Sequence, residues 1–152
     1  MRKLILGLTL LASLSSFAEV PEGLKSLVGE YEGKQGSLFW KKDCAVKISV
    51  ATKFDARATQ MSSDIDTIMK LETSNEDHSH ISLLDWYPEY ETMNNIERRF
   101  EEGSFLSGSY TDIELDLTRD RNLTRVSTDR TALGFLAGLS SEINCKSLKK
   151  VK

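Results

Sequence analysis

Positive charge, histidine, cysteine and long apolar runs are all scarce in this chain, and each shortage closes off a kind of function. Twenty Lys and Arg stand against 23 Asp and Glu over 152 residues. A sequence-independent nucleic-acid binder needs a basic face for phosphates, so that class is excluded. After the opening residues no apolar stretch reaches the roughly 20 residues of a membrane-spanning helix. No glycine-rich phosphate loop occurs, and "GSFLSG" departs from the Gly-x-Ser-x-Gly pattern of a nucleophile elbow. The two histidines, His78 and His80, lie in "NEDHSH". Catalytic zinc ordinarily takes three protein ligands, so Glu76 or Asp77 would have to complete that set. A solvated hairpin tip has the same composition, and no cofactor is expected.

The chain opens "MRKLILGLTLLASLSSFA". Arg2 and Lys3 precede an apolar run from Leu4 to Leu14, and Ser16 and Ala18 are the small residues of a cleavage site. Residues 1–18 therefore read as a signal peptide, and 19–152 as one domain that is soluble, periplasmic or secreted, and monomeric. Gram-negative bacterial origin is inferred from the short signal. Without Arg2 and Lys3 the balance is 18 basic against 23 acidic residues, and the acids gather in 64–102.

Cysteine is limited to Cys44 and Cys145, which allow one intramolecular pairing. Exported chains keep disulfides. Cys44 begins an alternation through Val46, Ile48 and Val50, and Cys145 is in phase with Ile143, so both sulfurs point to apolar strand faces. A disulfide between them is expected.

Period-two alternation runs through most of 28–149 and predicts half-buried strands. The clearest are 28–36, 44–52, 54–60, 79–86, 104–110, 113–118, 123–129 and 140–149. Residues 62–73 and 88–103 fit either a strand or a helix, with the strand favoured by the hairpin rhythm around them. The expected fold is all-β, an antiparallel meander of about eight to ten strands closed as a small barrel. The alternatives are a two-sheet sandwich, or an α+β fold with a helix near 89–101.

"LKSLVGEYEGKQG" resembles the opening of lipocalin-like (calycin-type) barrels, in which a helical turn precedes a first strand marked Gly-x-Trp. Gly29-Glu30-Tyr31 takes that place here, with tyrosine for tryptophan. "YTDI" (110–113) stands where the family has its Thr-Asp-Tyr turn, and the last strand lacks the family's arginine. The resemblance covers about a dozen residues and the strand order. It implies an eight-stranded cup that binds a small apolar ligand.

Aromatic residues supply the candidate contacts. Phe39 and Trp40 fall in the first connection, and Trp86, Tyr87 and Tyr90 surround Pro88. At one end of a barrel they would form an aromatic mouth for a ligand or partner; otherwise they plug the interior. Asp112, Glu114 and Asp116 alternate with Ile113, Leu115 and Leu117 and read as a solvated outer face rather than a hydrolytic carboxylate pair. The apolar run 132–139 reads as a loop folded over the barrel opening, and "KKVK" as a frayed tail. The leading expectation is a non-enzymatic, exported binding protein for a small apolar or amphipathic ligand. The alternatives are an inhibitory module docking a basic protein partner through the acidic region, and a metal-dependent hydrolase using His78 and His80.

Overall fold

A computed structural model of the chain describes residues 20–36, 40–51, 67–102, 108–132 and 140–152. The signal segment 1–18, Phe39, the expected strand 54–60 and nearly all of the apolar run 132–139 lie outside these residues.

A short helix, α1 (Glu22–Leu27), leads into β1 (Gly29–Gly36), β2 (Lys41–Val50), β3 (Ile68–Asn75) and β4 (Ser79–Asp85). One 3-10 turn, Pro88–Glu91, precedes β5 (Asn95–Glu102), β6 (Ser109–Leu117), β7 (Leu123–Ala132) and β8 (Ser140–Lys150). All eight strands form one antiparallel sheet in the order β4-β3-β2-β1-β8-β7-β6-β5, curled into a half-barrel. The all-β meander expected from the alternation is what the structure shows. Every strand pairs with its sequence neighbour, and β1 also pairs with β8. Among the described residues, consecutive strands β4 and β5 are the exception and form the two ends of the ladder.

Alternation makes these strands. On β2, Cys44, Val46 and Ile48 are buried while Asp43, Ala45 and Lys47 are exposed, so one face meets the core and the other meets water. Of the ambiguous 62–73, residues 62–66 lie outside the described residues and the rest from Ile68 on belongs to β3. In 88–103, Pro88 suits a first helical turn through its fixed φ, but the turn ends at Glu91. Beyond it, β5 gains a full ladder with β6 and sets Ile96 opposite Leu115. The helical spacing of Tyr90, Met93 and Ile96 is coincidental, since Tyr90 and Ile96 are buried from different elements and Met93 is exposed. Of the strand expected at 104–110, residues 104–107 lie outside the described residues; its last two residues are continuous with the strand expected at 113–118 as a single β6, in which Thr111 continues the series of Ile113 and Leu115.

Cys44 and Cys145 are joined by a disulfide with their Cα atoms 5.9 Å apart. The bridge joins β2 to β8, which flank β1 on the same wall. Strands two places apart in a flat sheet lie roughly 9–10 Å apart, so this wall is sharply curled. Two features permit it. Gly33 of β1 sits opposite Cys44, and the β1–β8 register shifts between Glu32 and Lys34, a bulge that bends the strand. The C-terminal tail, expected to fray, is instead tied down: Val151 N–H donates to Glu30 O at 2.8 Å and Glu30 N–H to Lys152 O at 3.0 Å.

Candidate functional site

The inward-facing residues change character along the strands. Met69 and Leu71 on β3 give way to Thr73 and Asn75, and Val126 on β7 to Thr128 and Arg130. Leu84 on β4 gives way to His80, and Ile143 on β8 to Ser141. On β6, Leu117, Leu115 and Ile113 are followed by Thr111 and Ser109. The strand directions place every polar residue of this series at the same end of the half-barrel.

At that end three buried side chains and one half-buried one form a hydrogen-bonded chain. Thr73 Oγ1 lies 2.9 Å from Thr128 Oγ1, which lies 3.0 Å from His80 Nδ1. His80 Nε2 lies 2.8 Å from Ser141 Oγ. Four strands contribute one residue each: β3, β7, β4 and β8. Thr73 and Thr128 are at most 1% exposed and His80 is 8% exposed, whereas Ser141 reaches solvent. Burial pushes the His80 imidazole below its ordinary value, the charges of Arg130 and His78 add to this, and Asp129 opposes it. His80 is therefore neutral at pH 7. Beside this chain, Asn75 donates to Gln35 Oε1 at 3.0 Å, and Arg130 Nε donates to Ser109 Oγ at 3.3 Å.

The other end is apolar and stoppered. Leu24 and Leu27 of α1 are fully buried, and Tyr31 O–H holds the helix by donating to Leu27 O at 2.7 Å. The Glu91 carboxylate fastens α1 to the 3-10 turn, accepting from Gly23 N–H at 2.7 Å and Trp86 Nε1–H at 2.8 Å. Trp86 and Tyr90 pack edge to face with ring centroids 5.4 Å apart. Arg98 lies 4.6 Å from the Tyr87 ring centroid and bonds the Tyr90 hydroxyl, and Arg121 donates to Tyr90 O at 2.7 Å. Burial raises the Tyr90 phenol, with Arg98 opposing.

The expected aromatic mouth is thus divided. Trp40, 82% exposed, precedes β2 at the polar end, while Trp86, Tyr87 and Tyr90 lie at the stoppered end with Trp86 and Tyr90 buried. The reason is parity. Connections in a meander alternate between ends, so the first and the fourth fall on opposite sides. Because β2 pairs directly with β3, the Trp86 connection is the fourth. His78 and His80 are also separated by environment: His78 sits exposed in the β3–β4 turn, its N–H donating to Asn75 Oδ1, and His80 faces inward. Among the described residues, no group of three His, Cys, Asp or Glu converges as a metal site requires.

Asp112, Glu114 and Asp116 occupy the outer face and are engaged by cations. Arg99 grips Asp112 through two bonds of 2.6 and 2.7 Å, and Arg125 lies 3.0 Å from Glu114 and 3.2 Å from Asp116.

Sequence reasoning missed Thr128 and Ser141 as partners of His80 and Thr73 as the partner of Thr128. Their signal was available, since each interrupts an apolar inward series with a polar residue. It missed Glu91 and Gly23 altogether, and a contact between residues so far apart in the chain leaves no local pattern. The chain matches no family model, no curated protein and no solved structure.

Proposed function

We propose that this chain is an exported, non-enzymatic binding protein that takes a small amphipathic ligand at the His80 end of its half-barrel. One observation carries the reading: five strands exchange apolar for hydrogen-bonding residues toward the same end, while the opposite end is sealed by α1. Buried polar groups cost stability unless they are satisfied, and a set of them gathered at one end is what a site for a polar head group needs. Exposed Trp40 stands at the same end, an apolar surface for the rest of such a molecule. This use of a barrel interior is the one that the lipocalin-like opening "LKSLVGEYEGKQG" implies. Export is supported by the disulfide, which persists in oxidising compartments, and by the charged-then-apolar opening residues.

The test starts with native mass spectrometry of protein purified from its exporting host, followed by titration with decanoate read by tryptophan emission. The expected result is a co-purified small-molecule adduct or a saturable change as Trp40 becomes covered. No adduct and no saturable change, together with salt-sensitive retention on immobilised polylysine, would replace this reading by docking onto a basic partner, because surface electrostatic contacts weaken as ionic strength rises.

A further inference from the structure

Counting hydrogens along the His80 chain fixes the direction in which they point. From that count we infer that Ser141 presents its hydroxyl hydrogen to the ligand, so the group recognised is an acceptor oxygen of a carbonyl or carboxylate. The inference rests on the reading of the His80 end as the binding site and names the chemistry of its head group.

Three hydroxyls and one neutral imidazole carry one hydrogen each and make three contacts, Thr73–Thr128, Thr128–His80 and His80–Ser141. Three arrangements satisfy all three. One has Thr73 and Nδ1–H both donating to Thr128 while Ser141 donates to Nε2; it leaves the hydrogen of Thr128, 0% exposed, without an acceptor and is disfavoured as a buried unmade donor. The other two each leave the spare hydrogen at one end of the chain. In the first of these two, Ser141 donates to Nε2, Nδ1–H donates to Thr128 and Thr128 donates to Thr73. The Thr73 hydrogen is then left over, and Thr73 is 1% exposed with no side-chain partner but Thr128 among the described residues. A buried donor left unmade is strongly disfavoured. In the second, Thr73 donates to Thr128, Thr128 donates to Nδ1, and Nε2–H donates to Ser141 Oγ. The spare hydrogen is now that of Ser141, the one member that reaches solvent. The second arrangement is therefore the resting one.

Two consequences follow for chemistry. His80 meets Ser141 with an N–H rather than a lone pair, so it does not act as the base that would make Ser141 a nucleophile. Donors aligned head to tail also polarise one another, which strengthens the terminal Ser141 hydroxyl as a donor. An ammonium head group, having only hydrogens to offer, cannot take up the Ser141 hydrogen and meets only the one lone pair that Ser141 Oγ keeps beyond its bond from His80.

The experiment has two independent arms. Long-range proton–nitrogen correlation spectra of the 15N-labelled full chain report which imidazole nitrogen of His80 carries hydrogen. The Nε2–H tautomer is expected, and Nδ1–H overturns the inference whatever binds. In the second arm, decanoate, methyl decanoate and decylamine are titrated into wild type and Ser141→Ala. Decanoate and methyl decanoate are expected to bind and decylamine more weakly than either, with Ser141→Ala weakening decanoate about tenfold. A larger loss for decanoate than for the ester identifies a carboxylate as the preferred group, and equal losses identify a neutral carbonyl. Binding of decanoate that is unchanged in Ser141→Ala, or equal binding of decylamine, overturns the inference and leaves the binding function standing. No binding of any of the three compounds sinks the binding function and this inference with it.

Discussion

The two ends of the half-barrel solve the same problem in opposite ways. Each must close the interior of a curled sheet. At the α1 end the closure is apolar volume, with Leu24, Leu27, Trp86 and Tyr90 packed together and a single carboxylate, Glu91, latching the pieces. At the His80 end the closing residues are hydroxyls and an imidazole tied to one another. Apolar packing is non-directional and can be filled from any neighbouring element. A hydrogen-bonded chain is directional and leaves one member with a hydrogen to give. One end is thus committed to packing, and the other keeps directional hydrogen-bonding groups of the kind that the proposed function draws on.

Substitutions test that contrast. The largest effect is expected from Cys44→Ser with Cys145→Ser, at the wall that both ends share. Opening a loop spanning 101 residues of sequence separation should cost about 4–5 kcal/mol in denaturant unfolding. Leu27→Ala should then cost about 2–5 kcal/mol, as expected for removing a fully buried leucine, and should leave decanoate titration unchanged. A change in ligand affinity from Leu27→Ala would break the division of labour between the ends. Thr128→Val, nearly isosteric, should cost about 1–3 kcal/mol because it strands both Thr73 and His80.

The smallest effect is pH dependence. His80 has a folded value below its unfolded one, so the unfolded chain binds more protons as pH falls from about 6.5 toward the folded value. Stability from keeping His80 neutral is fully present above about pH 6.5 and is lost through that window. His80→Gln should remove this part of the pH slope, measured by denaturant midpoints between about pH 7 and 5, and an unchanged slope would place its origin elsewhere.

Strand identity and the cystine were legible in the sequence because period two is a local property. Val46 and Ile48 announce the inward face of β2, and Cys44 and Cys145 each lie in phase with such a face. Placement at an end was not legible in the same way. It depends on how many strands intervene, so one uncertain strand reverses the side on which Trp86 falls. With 54–60 counted as a strand, Trp40 and Trp86 would share an end; direct pairing of β2 with β3 puts them apart. The polar chain lies between these cases. Thr73 in "MKLET" and Thr128 in "RVSTD" break an apolar series visibly, but their meeting depends on register between distant strands. Glu91 and Gly23 left no trace at all, since neither changes a periodicity.

A methyl group at Gly33 would come within 2.8 Å of the Lys146 carbonyl oxygen, a distance that backbone atoms do not tolerate. β8 would have to withdraw, while the cystine that ties it to β2 would hold it in place. The radius of this wall is therefore set by competition between a covalent tie and the room left by the smallest residue. Only a chain that keeps Gly33 bare can satisfy both, so the position is closed to every side chain.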